Sequence, residues 1–138
     1  KVISGKLAEM IGRKIVLVGG VAMMLAGSLL IVSSIFYKNP LLIWIGLTLY
    51  GTGWGGLYTL IQLLVADLFG LIAIGKIMGV INIIDTIGGG LGPIITAVIY
   101  DSTQSYLLPF LVISALLVIA LISSSMLKID DEAIEQSR

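Results

Sequence analysis

Asp85 is a carboxylate placed in the middle of a long apolar stretch, Ile77 to Tyr100. It lies nine residues beyond Lys76, which on a helix is about 13 Å. An ionisable group at that depth in a bilayer costs a few kcal/mol or more, so such groups face a bundle interior or water and handle protons, ions or solute. Asn82 precedes it by one turn and Thr86 follows it. The other polar side chains with a chemically useful spacing are Trp54, Tyr58 and Gln62, each four residues from the next and therefore on one helical face. An aromatic pair and an amide on one face can contact a small solute. The pair Asn82 and Asp85 can take up and release a proton. The sequence contains no cysteine and no histidine, which removes thiolate nucleophiles, imidazole bases, disulfides and the commonest metal ligands. A two-aspartate intramembrane hydrolase needs a second membrane carboxylate, whereas Asp67 and Asp101 stand at the ends of apolar runs. No enzyme, no cofactor, no metal and no nucleic-acid site is expected.

The elements that hold these residues are four apolar runs, 15–37, 41–66, 77–100 and 107–127. Each meets the roughly 20 residues needed to cross a hydrocarbon core of about 30 Å. Hydrophobic residues make up 58% of the chain and charged residues 12%, too few polar groups to cover a soluble core. The expected fold is an all-α membrane protein with four transmembrane helices, flanked by a loop over 1–14 and a charged tail over 128–138. Glycine and polar residues concentrate in the second and third runs. The spacings Gly51/Gly55, Gly75/Gly79 and Gly88/Gly92 predict close packing of that middle pair, and Pro93 a bending point. The first and fourth runs are interrupted only by serines such as Ser28, Ser33, Ser34 and Ser114, which predicts lipid-facing helices.

Orientation follows from the basic residues, which accumulate in cytoplasmic loops. Lys1, Lys6, Arg13, Lys14, Lys76, Lys128 and Arg138 fall on one side and only Lys38 on the other. Both ends are therefore expected in the cytoplasm of a multi-pass protein of the cell membrane. The string Gly51-Thr52-Gly53-Trp54-Gly55-Gly56 matches a dinucleotide fingerprint by letter, but it lies inside an apolar run with no strand before it.

Three further motifs are specific. The loop Gly5-Lys6-Leu7-Ala8-Glu9-Met10-Ile11-Gly12-Arg13-Lys14 resembles the loop motif of the major facilitator superfamily, with Glu9 where Asp is usual. Gly79, Gly88 and Gly92-Pro93 have a spacing similar to the antiporter signature of that superfamily, although Thr96 and Ala97 stand at its glycine pair. Gly51 to Tyr58, the exit Ala66 to Gly70, and Asp101 to Tyr106 resemble helices 10 and 11 of monocarboxylate and oxalate/formate-type carriers, with Gln104 replacing a common glycine. The resemblance implies helices 9 to 12, part of the six-helix C-terminal half of a twelve-helix secondary transporter. It implies a small-molecule solute, an organic anion such as a monocarboxylate, and partners in the lipid and in the remaining helices of the same carrier or a complementary chain. Trp54, Tyr58 and Gln62 would touch solute, Asn82 and Asp85 would serve proton coupling, and Gly5, Glu9, Gly12, Arg13 and Lys14 would gate the cytoplasmic side. Lys1 is not a start residue and no cleavable leader precedes the first run, which fits a chain beginning within a longer protein. Two alternatives stand: a drug or metabolite efflux antiporter, and a non-transporting four-helix membrane subunit or anchor. A small dimeric exporter would want a carboxylate in its first helix, and 15–37 has none.

Overall fold

The computed structural model describes residues 12–127, without the side chains of 67, 68 and 71–73. Gly5 and Glu9 of the loop motif and the tail over 128–138 lie outside the described residues. Helix α1 is Arg13–Tyr37 and helix α4 is Leu107–Met126. Between them, Pro40–Thr103 is helical except at Gly70, whose φ of 74° and ψ of 165° divide it into α2, residues 40–69, and α3, residues 71–103. Among the described residues every regular element is a helix.

Each junction has a local cause. Gly12 precedes α1 at φ 97°, a conformation that side chains disfavour. Lys38 ends α1 in the left-handed region and its N–H returns to Ser34 O. Asn39 then caps α2, its Oδ1 accepting from Leu41 N at 3.0 Å, with Pro40 at the position where a missing N–H costs nothing. At the far end of α3, Gln104 adopts φ 51° and donates its backbone N–H to Tyr100 O at 2.7 Å, while the Tyr100 and Tyr106 rings stack at 4.3 Å across the turn. Glycine is the residue this torsion favours. Gln104→Gly is therefore expected to stabilise the protein by about 0.5–1 kcal/mol, read as a higher thermal unfolding midpoint in detergent.

Chain reversal at Gly70 follows from one contact. Tyr58 and Asn82, each twelve residues from Gly70, are joined by a hydrogen bond of 2.9 Å. A straight helix would separate them by about 36 Å. Helices α2 and α3 are thus an antiparallel hairpin closed at Gly70, whose torsions belong to a region accessible essentially to glycine alone. A Cβ at Gly70 meets no neighbour, so Gly70→Ala carries a purely torsional cost, expected at about 1–3 kcal/mol. An unchanged unfolding midpoint in that variant would contradict the assignment.

Helix α1 is the hub. Gly20 faces Gly53 and Gly27 faces Gly46, one antiparallel register with contacts seven residues apart on both helices. At these crossings the backbones touch: a Cβ on Gly27 would stand 2.6 Å from Gly46 O, and one on Gly53 would stand 2.6 Å from Gly20 O. Helix α4 packs on another side of α1. There Ser28, fully buried, lies 2.8 Å from Ser114. Ser114 spends its single hydrogen on Phe110 O, so Ser28 is the donor to Ser114 Oγ.

The central and peripheral roles expected from polarity differ from this arrangement. Within this chain α1 is the most covered helix, α4 is less covered, and α3 is exposed along most of its length. Gly51, Gly55, Gly75, Gly79, Gly88 and Gly92 all face open space rather than a helix of this chain. The backbone keeps helical torsions through Pro93, and the non-helical torsions fall at Gly70. Among the described residues, three helices, Arg13–Tyr37, Ile74–Thr103 and Leu107–Met126, are long and apolar enough to cross a membrane. Helix α2 has the length but is diluted by glycine, threonine, tyrosine, tryptophan and Gln62. It nevertheless runs beside α1 through both glycine crossings.

Candidate functional site

The antiparallel hairpin brings the two sets of polar residues onto facing surfaces. Tyr58 on α2 donates its hydroxyl to Asn82 Oδ1 on α3. Trp54 and Gln62 flank Tyr58 by one turn on either side, so their face of α2 is the one turned toward Asn82. Trp54 is 57% exposed and Tyr58 39% exposed, and Gln62, Asn82 and Asp85 are exposed as well. These side chains line an open surface rather than a closed pocket within this chain.

Helix α3 positions its own pair by periodicity. Asp85 follows Asn82 by three residues and so shares its face. Continuing the Tyr58–Asn82 register upward sets Asp85 level with Gly55, where α2 has no side chain and a Cβ would find open space. No described group hydrogen-bonds or ion-pairs with Asp85. Asn82 is engaged by Tyr58, and Thr86 Oγ1 donates to the Asn82 backbone carbonyl at 2.7 Å. The amide of Asn82 retains both of its N–H donors. The arrangement offers an aromatic face, two amides and a carboxyl, with no cation among the described residues of the hairpin's facing surfaces.

Other sequence-selected residues lie apart from this cluster. Thr48 and Thr52 donate to Trp44 O and Leu49 O of their own helix, the ordinary back-bonding of intramembrane threonine. Gly12 supplies the turn into α1, Arg13 is buried as its first residue and Lys14 is partly exposed. Gly79, Gly88, Gly92 and Pro93 lie along α3 with open space beside the glycines. Tyr37, Trp44, Tyr100 and Tyr106 gather at the end of the bundle that carries both short connections, as aromatic residues do at a membrane interface. An apolar recess of about 250 Å³ between α1, α2 and α4, lined by Ile31, Leu47, Tyr50, Phe110 and Ile113, is separate from the cluster.

Sequence reasoning missed the residues that hold α2 in place. Gly20, Gly27, Gly46 and Gly53 were legible as two glycine pairs with a shared spacing of seven, a repeat suited to two helices wound about each other. Attention to spacings of four overlooked it. The Ser28–Ser114 bond carries no comparable signal, because serine is common throughout these helices.

Comparison with known proteins agrees with this architecture. No solved structure gives a significant match. Two sequences of the efflux pump dotC from Dothistroma septosporum, one of them from strain NZE10, are each 37% identical over 91 residues. That segment is 66% of this chain and 15% of the pump, so the likeness covers a small part of the relative's length. The description of the Major Facilitator Superfamily matches residues 1–137. Its match along nearly the whole chain, together with an all-helical fold of membrane-crossing length, establishes that this multi-pass membrane protein belongs to the major facilitator superfamily.

Proposed function

We propose that these helices form part of the solute path of a secondary active transporter working by alternating access. The observation that carries this reading is the Tyr58–Asn82 hydrogen bond, which sets the Trp54, Tyr58 and Gln62 face against the face bearing Asp85. Solute contact and proton uptake then occur within one hairpin. Transport of a small organic solute requires such a site near the midplane, between halves that rock about it. We take the solute to be an organic anion such as a monocarboxylate, its charge met by a cation outside the described residues. The remaining helices of the carrier or a complementary chain complete the path. In this reading α2 joins the other three helices as a span, both ends of the chain are cytoplasmic in the cell membrane, and Gly5, Glu9, Gly12, Arg13 and Lys14 form the cytoplasmic gate.

A second reading has its own support. The similarity to a protein named as an efflux pump is compatible with the alternative reading, export of a drug or metabolite through the same surface. Counterflow by the complete protein in liposomes separates the two, since only a true substrate inside will drive uptake of label. Trp54→Ala and Gln62→Ala are expected to raise KM by about tenfold, a loss of about 1.4 kcal/mol, with Val118→Ala on exposed α4 as the unaffected control. An unchanged KM in both variants would remove the α2 face from the solute path. Failure of any solute to exchange would leave the non-transporting subunit as the better account.

A further inference from the structure

Asn82 has a role that neither solute contact nor proton binding describes. It makes the side-chain bond that ties α2 to α3, it stands one turn from Asp85, and its two N–H donors are uncommitted. Below it, the hairpin closes at Gly70. Above it, Gly51 and Gly55 on α2 and Gly88 and Gly89 on α3 face open space, so no packing contact reinforces the bond at those glycines. Among the described residues, the hairpin is therefore hinged at one end by a glycine-only torsion and tied twelve residues away by a neutral side-chain hydrogen bond.

We propose that Asn82 is a positioning residue that transmits the charge state of Asp85 to Tyr58, making the α2–α3 hairpin a proton-controlled clamp. This rests on the reading of Asp85 as the proton site. The amide's Oδ1 accepts from Tyr58, and the carboxyl of Asp85 lies three residues along the same helix face, within reach of an Nδ2 donor. An ionised Asp85 is a strong acceptor that attracts Nδ2, polarises the amide and strengthens its acceptance from Tyr58. Protonation removes that attraction and leaves the neutral bond alone. The clamp is thus tight when Asp85 is charged and loose when it is neutral, and the α2 face bearing Trp54 and Gln62 moves with it.

Few groups compete for control. The titratable group facing this pair from α2 is Tyr58 itself, and residues 15–37 of α1 and 107–126 of α4 carry no charged side chain. On α3 the nearest charges are Lys76 and Asp101, nine and sixteen residues from Asp85. Each lies more than about 13 Å along the axis.

The test reads distance rather than transport. Gly51→Cys and Gly89→Cys, which this register sets level across the gap, are labelled with nitroxides on a cysteine-free background of the complete protein in liposomes. Dipolar broadening of the spectrum is followed from about pH 8 to about pH 3, a range that crosses the ordinary carboxyl value. Broadening is expected to fall as the pH drops, reporting an opening on the order of 2 Å, the scale of helix shifts in switching proteins. Tyr58→Phe, Asn82→Ala and Asp85→Asn are each expected to abolish that pH response. Combining Tyr58→Phe with Asn82→Ala should add nothing to either alone. A pH-independent spectrum in the unsubstituted protein, or a response surviving both Tyr58→Phe and Asn82→Ala, overturns the clamp. Tyr58→Phe keeps the ring and its packing, so the test survives an Asn82 variant that misfolds. A preserved distance response in a protein that moves no solute would sink the solute reading while leaving the clamp intact.

Discussion

Gly27→Ala is expected to separate α1 from α2 and leave little folded protein. A methyl group at that position would stand 2.6 Å from Gly46 O and 2.7 Å from Tyr50 N, and both obstacles are backbone atoms that cannot swing aside. Overpacking of this kind costs about 1–3 kcal/mol where side chains can yield and more where they cannot. Gly53→Ala meets Gly20 O at 2.6 Å, and Gly46→Ala meets Gly27 O and Ile31 Cγ1 at 2.8 Å, so both belong with Gly27→Ala. Gly20→Ala is milder, because its nearest neighbour is the movable tip of Leu57 at 3.2 Å. Gly51→Ala and Gly55→Ala are the contrast: a Cβ at either finds open space, so neither disturbs the α1–α2 crossing. Monodisperse yield in detergent and the unfolding midpoint report the difference. Equal losses at Gly27 and Gly51 would mean that the α1–α2 register is wrong.

On the proposed reading of Asp85 as the proton site, Asp85→Asn is expected to reduce the transport rate of the complete protein by at least about tenfold and to flatten its pH dependence. The substitution keeps size and hydrogen-bonding capacity while removing the titration. A charge at this depth carries a cost of a few kcal/mol, so the variant should be no less stable than the parent. That separates a functional loss from a folding defect. The measurement is the initial rate in liposomes with and without an imposed pH gradient. Preservation of both rate and pH profile would show that Asp85 does not couple protons.

Residue identity made the class of this molecule plain. Four runs of spanning length, the scarcity of charge and the loop motif from Gly5 to Lys14 lead to an all-helical membrane protein of the major facilitator superfamily, and the match over residues 1–137 agrees. The candidate side chains were also legible, since Asp85 is conspicuous in an apolar run and Trp54, Tyr58 and Gln62 recur at helical spacing. Their partnership was not. Nothing in the local sequence says that Tyr58 reaches Asn82, because that contact depends on where the chain turns back. Gly70 turns it twelve residues from each.

The packing glycines make the same point from the opposite direction. Spacings of four at Gly51/Gly55 and Gly88/Gly92 look like helix contacts, yet both pairs face open space, while glycines seven apart on α1 and α2 touch. Hydropathy and helical period are properties of a segment and its solvent, so residue order alone sets which stretches are helices, that lipid is their medium and which side chains are chemically able. Which helix faces meet is a property of pairs of segments, set by shape at each crossing and by the torsion of a single residue between them. Only the tertiary structure decided that α1 is the hub, that α2 folds back on α3, and that an amide one turn from a carboxyl is held by a tyrosine from the other helix.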